Sequence, residues 1–230
     1  MWPWREAYYT INVCNFILSR TTGDDASLSE SMKRIKGQAL FLRGYSYYTL
    51  AGYYQNPALI TDYANYSSLD GLYGKNSTYD DVLDQVEKDF SEAMTLLPSR
   101  DEGGEWAKGR ATCGAAAGYY ARTLMQRHKY SDALVVLKDI MNKKYGSYKL
   151  MANYGDNFRE GSAYENNAES LFEIQYLDYG SQGVDDEWTP GNTSPNATQG
   201  HAVESNFAPG RFGGWAVSYT HLRAHETKAN

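Results

Sequence analysis

Apolar residues recur at intervals of three and four along most of the chain, which is the spacing of one face of an α-helix. This spacing predicts five helices, over residues 3–19, 28–54, 78–97, 109–127 and 131–144. Pro3 suits the first turn of the first helix. Asn56-Pro57 and Pro98 end the second and third helices, because proline cannot continue a helix.

The second predicted helix, over residues 28–54, has a recognisable start, a predicted buried face and one arginine beside that face. Its start, Ser27 to Glu30, fits a capping box. Its 3–4 spacing predicts one buried face, which consists of Leu28, Met32, Ile35, Ala39, Leu42, Ser46, Leu50 and Tyr53. Arg43 lies beside that face, so we expect it to pair with a buried acid or a backbone carbonyl.

The segments between the helices differ in character. Residues 55–77 form a long irregular insertion rich in Asn, Ser, Gly and Tyr, and loops of this length in compact domains are usually functional or disordered. Ser170 to Tyr176 alternates apolar and polar residues, which predicts a short strand. Residues 218–230 lack apolar periodicity, so we expect one domain over 1–217 followed by a non-native tail.

Two helical units repeat a common pattern. GYSYYTL at 44–50 and GYYARTL at 118–124 share Gly, Tyr, Thr and Leu in register. Downstream of each, an aromatic residue lies three positions before an alanine, at Phe90 and at Tyr130. These features are typical of tetratricopeptide hairpins, in which small residues let paired helices nest. The sequence therefore predicts a mainly α fold of tetratricopeptide-like hairpins, with long loops and a short β element near 170–176.

Composition narrows the classes of function. The chain has 22 Lys+Arg and 28 Asp+Glu, a net charge of −6, with no basic cluster, which argues against nucleic acid as a partner. No apolar run approaches the ~20 residues that a membrane helix needs. Cys14 and Cys113 lie in helical patterns and are expected to be core thiols, although one bridge remains possible.

Motifs for catalysis are absent from the sequence. There is no phosphate-binding loop, no His-Glu-x-x-His, no Gly-x-Ser-x-Gly and no Cys-x-x-Cys. We therefore predict no catalytic residue, no metal and no cofactor, and expect the protein not to be an enzyme.

The 21 tyrosines are the stronger lead. Tyrosine and tryptophan combine a flat apolar face with a polar group, which suits the C–H-rich faces of sugar rings. Tyr45, Tyr48, Tyr119 and Tyr120 are expected to pack between helices. The aromatic residues in loops have less structural reason to be aromatic, and asparagine suits sugar hydroxyls. The candidate ligand-binding residues are Tyr63, Asn65, Tyr66, Tyr73 and Trp188.

Six stretches, in collinear order over roughly residues 4–217, resemble SusD/RagB-like outer-membrane lipoproteins. They are Arg34–Tyr48, Asn56–Thr61, Tyr79–Pro98, Gly109–Thr112 with the following Lys129–Leu134, Asn167–Tyr176 and Gly213–Trp215. The first is similar to the family's A-x-FLRAYxYY helix. The second is similar to its G-D-V-P-L-I-T turn but lacks the Gly-Asp. Family members are longer, so the chain resembles an internal piece without the lipoprotein signal and the C-terminal half.

The resemblance implies a helical, non-enzymatic protein at the cell surface that captures oligosaccharides or other nutrients. It also implies a SusC-like TonB-dependent transporter as partner and attachment to the outer membrane by a lipid anchor that this chain lacks. It carries over no ligand-binding residues. Two alternatives remain open on the residues alone. One is a tetratricopeptide-type scaffold for protein interactions, and the other is a helical glycan-cleaving enzyme.

Overall fold

The chain is built mainly from helices of three to seven turns. The computed structural model describes residues 2–67, 74–159 and 164–174, and these residues form six α-helices. The helices are α1 (Trp2–Arg20), α2 (Glu30–Tyr54), α3 (Tyr79–Leu96), α4 (Arg100–Gly103), α5 (Cys113–Gln126) and α6 (Tyr130–Met141). Short 3-10 turns lie at Asp25–Ser27, Tyr63–Ser67, Gly104–Ala107 and Tyr154–Phe158. The five helices predicted from apolar spacing are confirmed.

Hydroxyl side chains cap the starts of α2, α3 and α5. Ser29 accepts a hydrogen bond from the backbone N–H of Met32 at 3.3 Å and caps α2. Thr78 forms a reciprocal capping box with Asp81 at the start of α3. Thr112 caps α5. Each hydroxyl satisfies an N–H that the first helical turn leaves without a partner. The helices predicted to start at residues 28 and 109, which are α2 and α5, therefore start later than predicted, because the capping oxygens belong to Ser29 and Thr112.

Successive helices pack against one another in chain order. α1 packs on α2, α2 on α3, α3 on α5, and α5 on α6. α2 and α3 run antiparallel, since Gly37 lies against Leu96 and Leu97 while Gly44 lies against Asp89 and Phe90. The α2–α3 and α5–α6 hairpins correspond to the two repeated sequence units. The predicted tetratricopeptide-like architecture is therefore confirmed.

Aromatic rings from three helices meet in the core. The fully buried ring of Phe41 lies 5.7 Å from Phe90, 5.8 Å from Tyr119 and 5.0 Å from Phe172, measured between centroids. Tyr45 lies edge-on to Tyr119 at 5.4 Å. These contacts confirm the expected packing role of the tyrosines in the repeated segments, and they join both hairpins through one cluster.

The buried surface of α2 is wider than the predicted stripe. Ile35, Leu42 and Tyr53 are 46%, 37% and 71% exposed, although the 3–4 spacing placed them inside. Phe41 and Tyr47, which lie off that stripe, are fully buried. The reason is that α2 packs between α1 and α3, so it buries residues on two sides and no single stripe describes it.

The strand predicted over 170–176 is wrong for the residues that the structure describes. Residues 170–174 are irregular, and residues 175 and 176 lie outside the described ranges. The Arg100 guanidinium donates to the carbonyl oxygens of Asn167 at 3.1 Å and Ser170 at 3.4 Å. Leu171 and Phe172 pack on α5 and α2 instead of alternating across a sheet. The Arg100 side chain thus binds backbone carbonyl groups that, in a strand, would accept hydrogen bonds from a neighbouring strand.

Both cysteines are core thiols, as predicted, and they are not bonded to each other. Cys14 is 2% exposed and Cys113 is 6% exposed. Burial raises the pKa of the Cys14 thiol to about 12 and that of Cys113 to about 11. Burial disfavours the thiolate, so both side chains act as small apolar groups at neutral pH.

Residues up to Glu173 form one compact unit. The predicted domain end at 217 and the tail at 218–230 lie outside the described residues and stay predictions. Within the described ranges, none of the helices combines the length and the apolar character required to cross a bilayer.

Gly44 tests the close approach of α2 and α3. A Cβ at this position would lie 3.2 Å from the Asp89 Cβ and 3.2 Å from the buried Phe90 ring, and neither neighbour is free to move. Overpacking costs about 1–3 kcal/mol, more than the gain of about 1 kcal/mol from alanine's helix propensity. We expect Gly44→Ala to lower the free energy of unfolding in urea denaturation.

Gly52 provides the matched control in the same helix. A Cβ there meets no atom within 4 Å. Gly52→Ala should therefore raise the free energy of unfolding by up to about 1 kcal/mol. Equal effects of the two substitutions would show that α2 and α3 are not in tight contact at Gly44.

Candidate functional site

An ion pair buried between α2 and α3 supports the candidate site. The Arg43 Nε donates to Oδ2 of Asp89 at 2.8 Å, and Nη2 donates to Oδ1 at 2.6 Å. Asp89 is 0% exposed and Arg43 is 7% exposed. Burial opposes the charge of Arg43, but its hydrogen bonds with Asp89 and the charge of that carboxylate raise the pKa of the guanidinium. The buried acid predicted as a partner for Arg43 is therefore confirmed.

The remaining nitrogen of Arg43 links this pair to the first helix and to the loop. Nη1 donates to the Asn15 Oδ1 at 2.9 Å and to the Thr61 carbonyl at 3.4 Å. Asn15, which is 1% exposed, donates through Nδ2 to the Ile60 carbonyl at 2.7 Å. One guanidinium thus contacts α3, α1 and the loop that follows α2.

Two tyrosines fix the same stretch of loop backbone. The buried Tyr47 hydroxyl accepts a hydrogen bond from the Ile60 N–H at 2.7 Å and donates one to the Ile60 carbonyl at 2.8 Å. The Tyr8 hydroxyl donates to the Ala58 carbonyl at 2.7 Å. A buried backbone group without a partner is unfavourable by about 1–3 kcal/mol, so these side chains make a buried loop segment possible.

The far end of the loop returns to its beginning. The Ser77 N–H donates to the Pro57 carbonyl at 3.2 Å, and the Leu59 N–H donates to the Ser77 hydroxyl at 3.2 Å. The two ends of the insertion are therefore joined beside the start of α3. These hydrogen bonds form a fixed base for the insertion.

The 3-10 turn Tyr63–Ser67 follows directly on this base. Asp62 shapes it, because its Oδ1 accepts from the Ala64 N–H at 2.9 Å and its carbonyl accepts from the Asn65 N–H at 3.2 Å. The Tyr63 ring lies edge-on to Phe16 of α1 with centroids 5.2 Å apart. Tyr63 is 38% exposed, and Asn65 is also exposed.

The structure brings two of the five predicted ligand-binding residues together. Tyr63 and Asn65 share the turn, and the backbone of Tyr66 belongs to it as well. The Tyr66 side chain, Tyr73 and Trp188 lie outside the residues described, so their part in the site stays a prediction.

Sequence reasoning missed two residues of α1 that adjoin the turn. Phe16 is 41% exposed, and the Arg20 guanidinium lies 5.4 Å from its ring centroid. Together with Tyr63 and Asn65, they form a surface with ring edges, an amide, a carboxylate and a cation.

This surface is suited to non-covalent binding of a polar ligand with an apolar face. Aromatic faces contact C–H groups, and the Asn65 amide offers both a donor and an acceptor. Within the described ranges, no group of three or more His, Cys, Asp or Glu side chains is placed to hold a metal ion.

A protein-family model with the description "starch-binding associating with outer membrane" matches residues 2–125. The chain belongs to the SusD-like family. The match includes the helices that hold the Arg43–Asp89 pair and the turn that carries Tyr63. The resemblance inferred from six sequence stretches is thereby confirmed. No curated protein matches this SusD-like chain.

Solved structures show the same fold. A SusD-like carbohydrate-binding protein of Bacteroides fragilis is 28% identical with a TM-score of 0.67, over 76% of this chain and 33% of that one. A laminarin-binding SusD-like protein is 24% identical with a TM-score of 0.69, over 88% and 42%. Surface glycan-binding protein A of Bacteroides thetaiotaomicron, solved with laminarihexaose, is 23% identical with a TM-score of 0.66, over 88% and 39%. This chain spans about a third to two fifths of their lengths.

Removing one partner of the buried pair should be strongly destabilising. Arg43→Met leaves the Asp89 carboxylate buried without its counter-charge, so we expect the free energy of unfolding to fall by about 3–5 kcal/mol. The double variant Arg43→Met with Asp89→Leu should recover most of that loss, because neither charge is then buried. Chemical denaturation of the three proteins measures both effects.

The control is an ion pair on the surface. Lys108 and Glu105 are 2.8 Å apart with side chains 58% and 88% exposed. Lys108→Met should change stability by less than about 1 kcal/mol. If Arg43→Met changes the free energy of unfolding as little as Lys108→Met does, the buried pair does not have the structural role assigned to it.

Proposed function

We propose that this SusD-like chain is part of a glycan-binding protein, and that the turn at Tyr63–Ser67 contacts the sugar. The observation that carries the proposal is the placement of Tyr63 and Asn65, exposed on a turn whose base is fixed by buried hydrogen bonds. A ligand then meets aromatic and amide groups that are already ordered. Preordered groups lose less conformational entropy on binding, which favours affinity.

The chemistry of the surface suits a carbohydrate. The C–H groups of a sugar ring pack against the faces of Tyr63 and Phe16, while its hydroxyls exchange hydrogen bonds with Asn65 and donate to the Asp62 carboxylate. Such exposed contacts are individually weak. We expect affinities in the millimolar to micromolar range, which corresponds to about 4–8 kcal/mol.

The comparisons support the class of ligand. The family description names starch binding, and the 28% identical structure is described as carbohydrate-binding. Two further structures with the same fold are described with laminarin or laminarihexaose. We infer that the ligand of this chain is an oligosaccharide, and that the chain binds it without cleaving it.

The role of the whole protein is a wider proposal. The family description includes association with the outer membrane. We propose that the complete protein lies at the cell surface on a lipid anchor and delivers glycans to a SusC-like TonB-dependent transporter. The stacked hairpins provide a rigid body for that contact. The same hairpins also favour a second candidate, a scaffold that binds peptides, which oligosaccharide titrations distinguish from the first.

Replacing Tyr63 tests the proposed sugar contact. Calorimetric titration of the chain with maltohexaose and laminarihexaose should detect binding of at least one of them. Tyr63→Ala should then weaken that binding about two- to tenfold, since an aromatic contact contributes about 0.5–1.5 kcal/mol. The unfolding midpoint should change little, because Tyr63 lies on the surface.

Tyr154 is the matched control. It is 76% exposed, lies in the 3-10 turn Tyr154–Phe158 and contacts Phe158. Tyr154→Ala should bind both oligosaccharides as the parent does. Unchanged affinity in Tyr63→Ala would show that the sugar binds elsewhere and argue against this site. Binding of neither oligosaccharide by the parent would argue against glycan binding and in favour of the peptide-binding scaffold.

A further inference from the structure

A pocket of about 280 Å³ lies between α5 and the segment that follows the last 3-10 turn. Its walls include Gly118, Tyr119, Arg122, Ser170, Leu171 and Phe172. The volume is just below the range of roughly 300–1,000 Å³ that is usual for small-molecule sites. It therefore suits one sugar ring and not a longer chain. None of the residues named for the proposed glycan turn belongs to it.

The walls of this pocket are held in place by the fold. A Cβ at residue 118 would lie 2.8 Å from the Leu171 Cδ1, so glycine lets the segment approach α5 closely. Arg100 binds the carbonyls of Ala168 and Ser170, both at 3.4 Å. The Phe172 ring packs on Phe41 in the core. The pocket is thus a preformed cleft between a helix and an anchored segment.

One positive charge lies at the pocket, and its donors are unused. Arg122 is exposed, and its guanidinium carbon lies 5.7 Å from the centroid of the Tyr48 ring. Among the residues that the structure describes, this guanidinium donates no hydrogen bond and forms no ion pair. The described walls include no acidic side chain. A guanidinium presents paired N–H groups that match the two oxygens of a carboxylate.

Three tyrosines form a cluster beside the pocket, and one of them, Tyr48, contacts Arg122. Tyr119 lines the pocket, and Tyr45 and Tyr48 lie edge-on to it at 5.4 Å and 5.9 Å between centroids. Their hydroxyls have no hydrogen-bond partner in the described part of the chain. Burial raises the pKa of Tyr119, so its hydroxyl stays a donor at neutral pH. Aromatic rings with spare hydroxyls suit a sugar ring better than a purely apolar ligand.

The internal repeat relates Arg122 to the aromatic ring of Tyr48 that it contacts. Tyr45 and Tyr119 occupy the same position of the repeated segments GYSYYTL and GYYARTL. Tyr48 and Arg122 likewise share a position. The second unit therefore carries a cation where the first carries a ring, and helix packing brings the two together.

We propose that this pocket is a second sugar subsite, selective for an acidic sugar whose carboxylate binds Arg122. The ring of the sugar lies against Tyr119 and Leu171, and its hydroxyls meet the tyrosine hydroxyls. This inference rests on the proposed function only in taking the ligand to be a sugar, because it uses different residues.

The test is a nuclear magnetic resonance titration of the ¹⁵N-labelled chain with methyl β-D-glucuronide and with methyl β-D-glucoside. The two probes differ only at the carboxylate. We expect the glucuronide to shift the amide signals of Gly118 and Arg122 and to bind about tenfold more tightly than the glucoside. Arg122→Gln should remove this preference and leave the unfolding midpoint unchanged, since the guanidinium is exposed.

Lys88→Gln is the control for net charge. Lys88 is an exposed residue of α3 that is absent from the pocket walls, and the substitution removes the same charge as Arg122→Gln. It should retain the preference for glucuronide. A preference that falls equally in both variants would overturn the proposal, because it would reflect overall charge alone.

A titration with acetate distinguishes binding of a carboxylate alone from binding of the acidic sugar. If acetate shifts the same signals as strongly as the glucuronide, the pocket takes a free carboxylate and the sugar subsite is wrong. Binding of neither probe also overturns it. Tyr63→Ala should leave glucuronide binding at Arg122 intact, so failure of this proposal and failure of the glycan turn give different results.

Discussion

Arg43 and Asp89 meet in the dry space between α2 and α3, where an unpaired charge would be strongly unfavourable. Their two parallel hydrogen bonds require the helices to lie in one register, and Gly44, beside the pair, lets the backbones come close enough. The remaining guanidinium nitrogen then binds Asn15 of α1 and the Thr61 carbonyl of the loop. One buried charge pair thus sets the relative positions of three helices and the base of a surface loop.

This arrangement separates the anchored part of the loop from the turn that carries the proposed site. Backbone groups of residues 58–61 are bound by Tyr8, Asn15, Arg43 and Tyr47, so the composition of that stretch is free to be apolar. In the turn that follows, Asp62 accepts a hydrogen bond from the Ala64 N–H, and the exposed Tyr63 ring contacts Phe16. Ligand-binding loops on rigid scaffolds commonly divide in this way. The side chains of the turn are therefore open to change without loss of the fold.

The sequence predicts most helices correctly because apolar spacing reports burial on one side, which holds for α3. The same spacing fails to identify the buried residues of α2, because that helix is buried on two sides. Leu42 lies on the predicted stripe but is exposed. Arg43 was recognisable as a buried cation from its place beside the stripe, but nothing in the spacing identifies Asp89 among the acids of α3. The strand predicted over 170–176 is wrong at the described residues 170–174, because alternation says nothing about a distant arginine that binds the carbonyls. The chemistry of loop residues indicates Tyr63 and Asn65 as candidates from the sequence alone. Phe16 is identified as a candidate only by its contact with Tyr63 in the structure.

Buried side chains fix the loop backbone beneath the candidate site. Native-state hydrogen exchange at the Ile60 amide tests this arrangement directly, because that N–H donates to the buried Tyr47 hydroxyl. We expect its opening free energy to approach that of the Phe90 amide in the core, and Tyr47→Phe to lower it while Phe90 keeps the higher value. Exchange at Ile60 as fast as at the exposed Asn65 amide would contradict this arrangement.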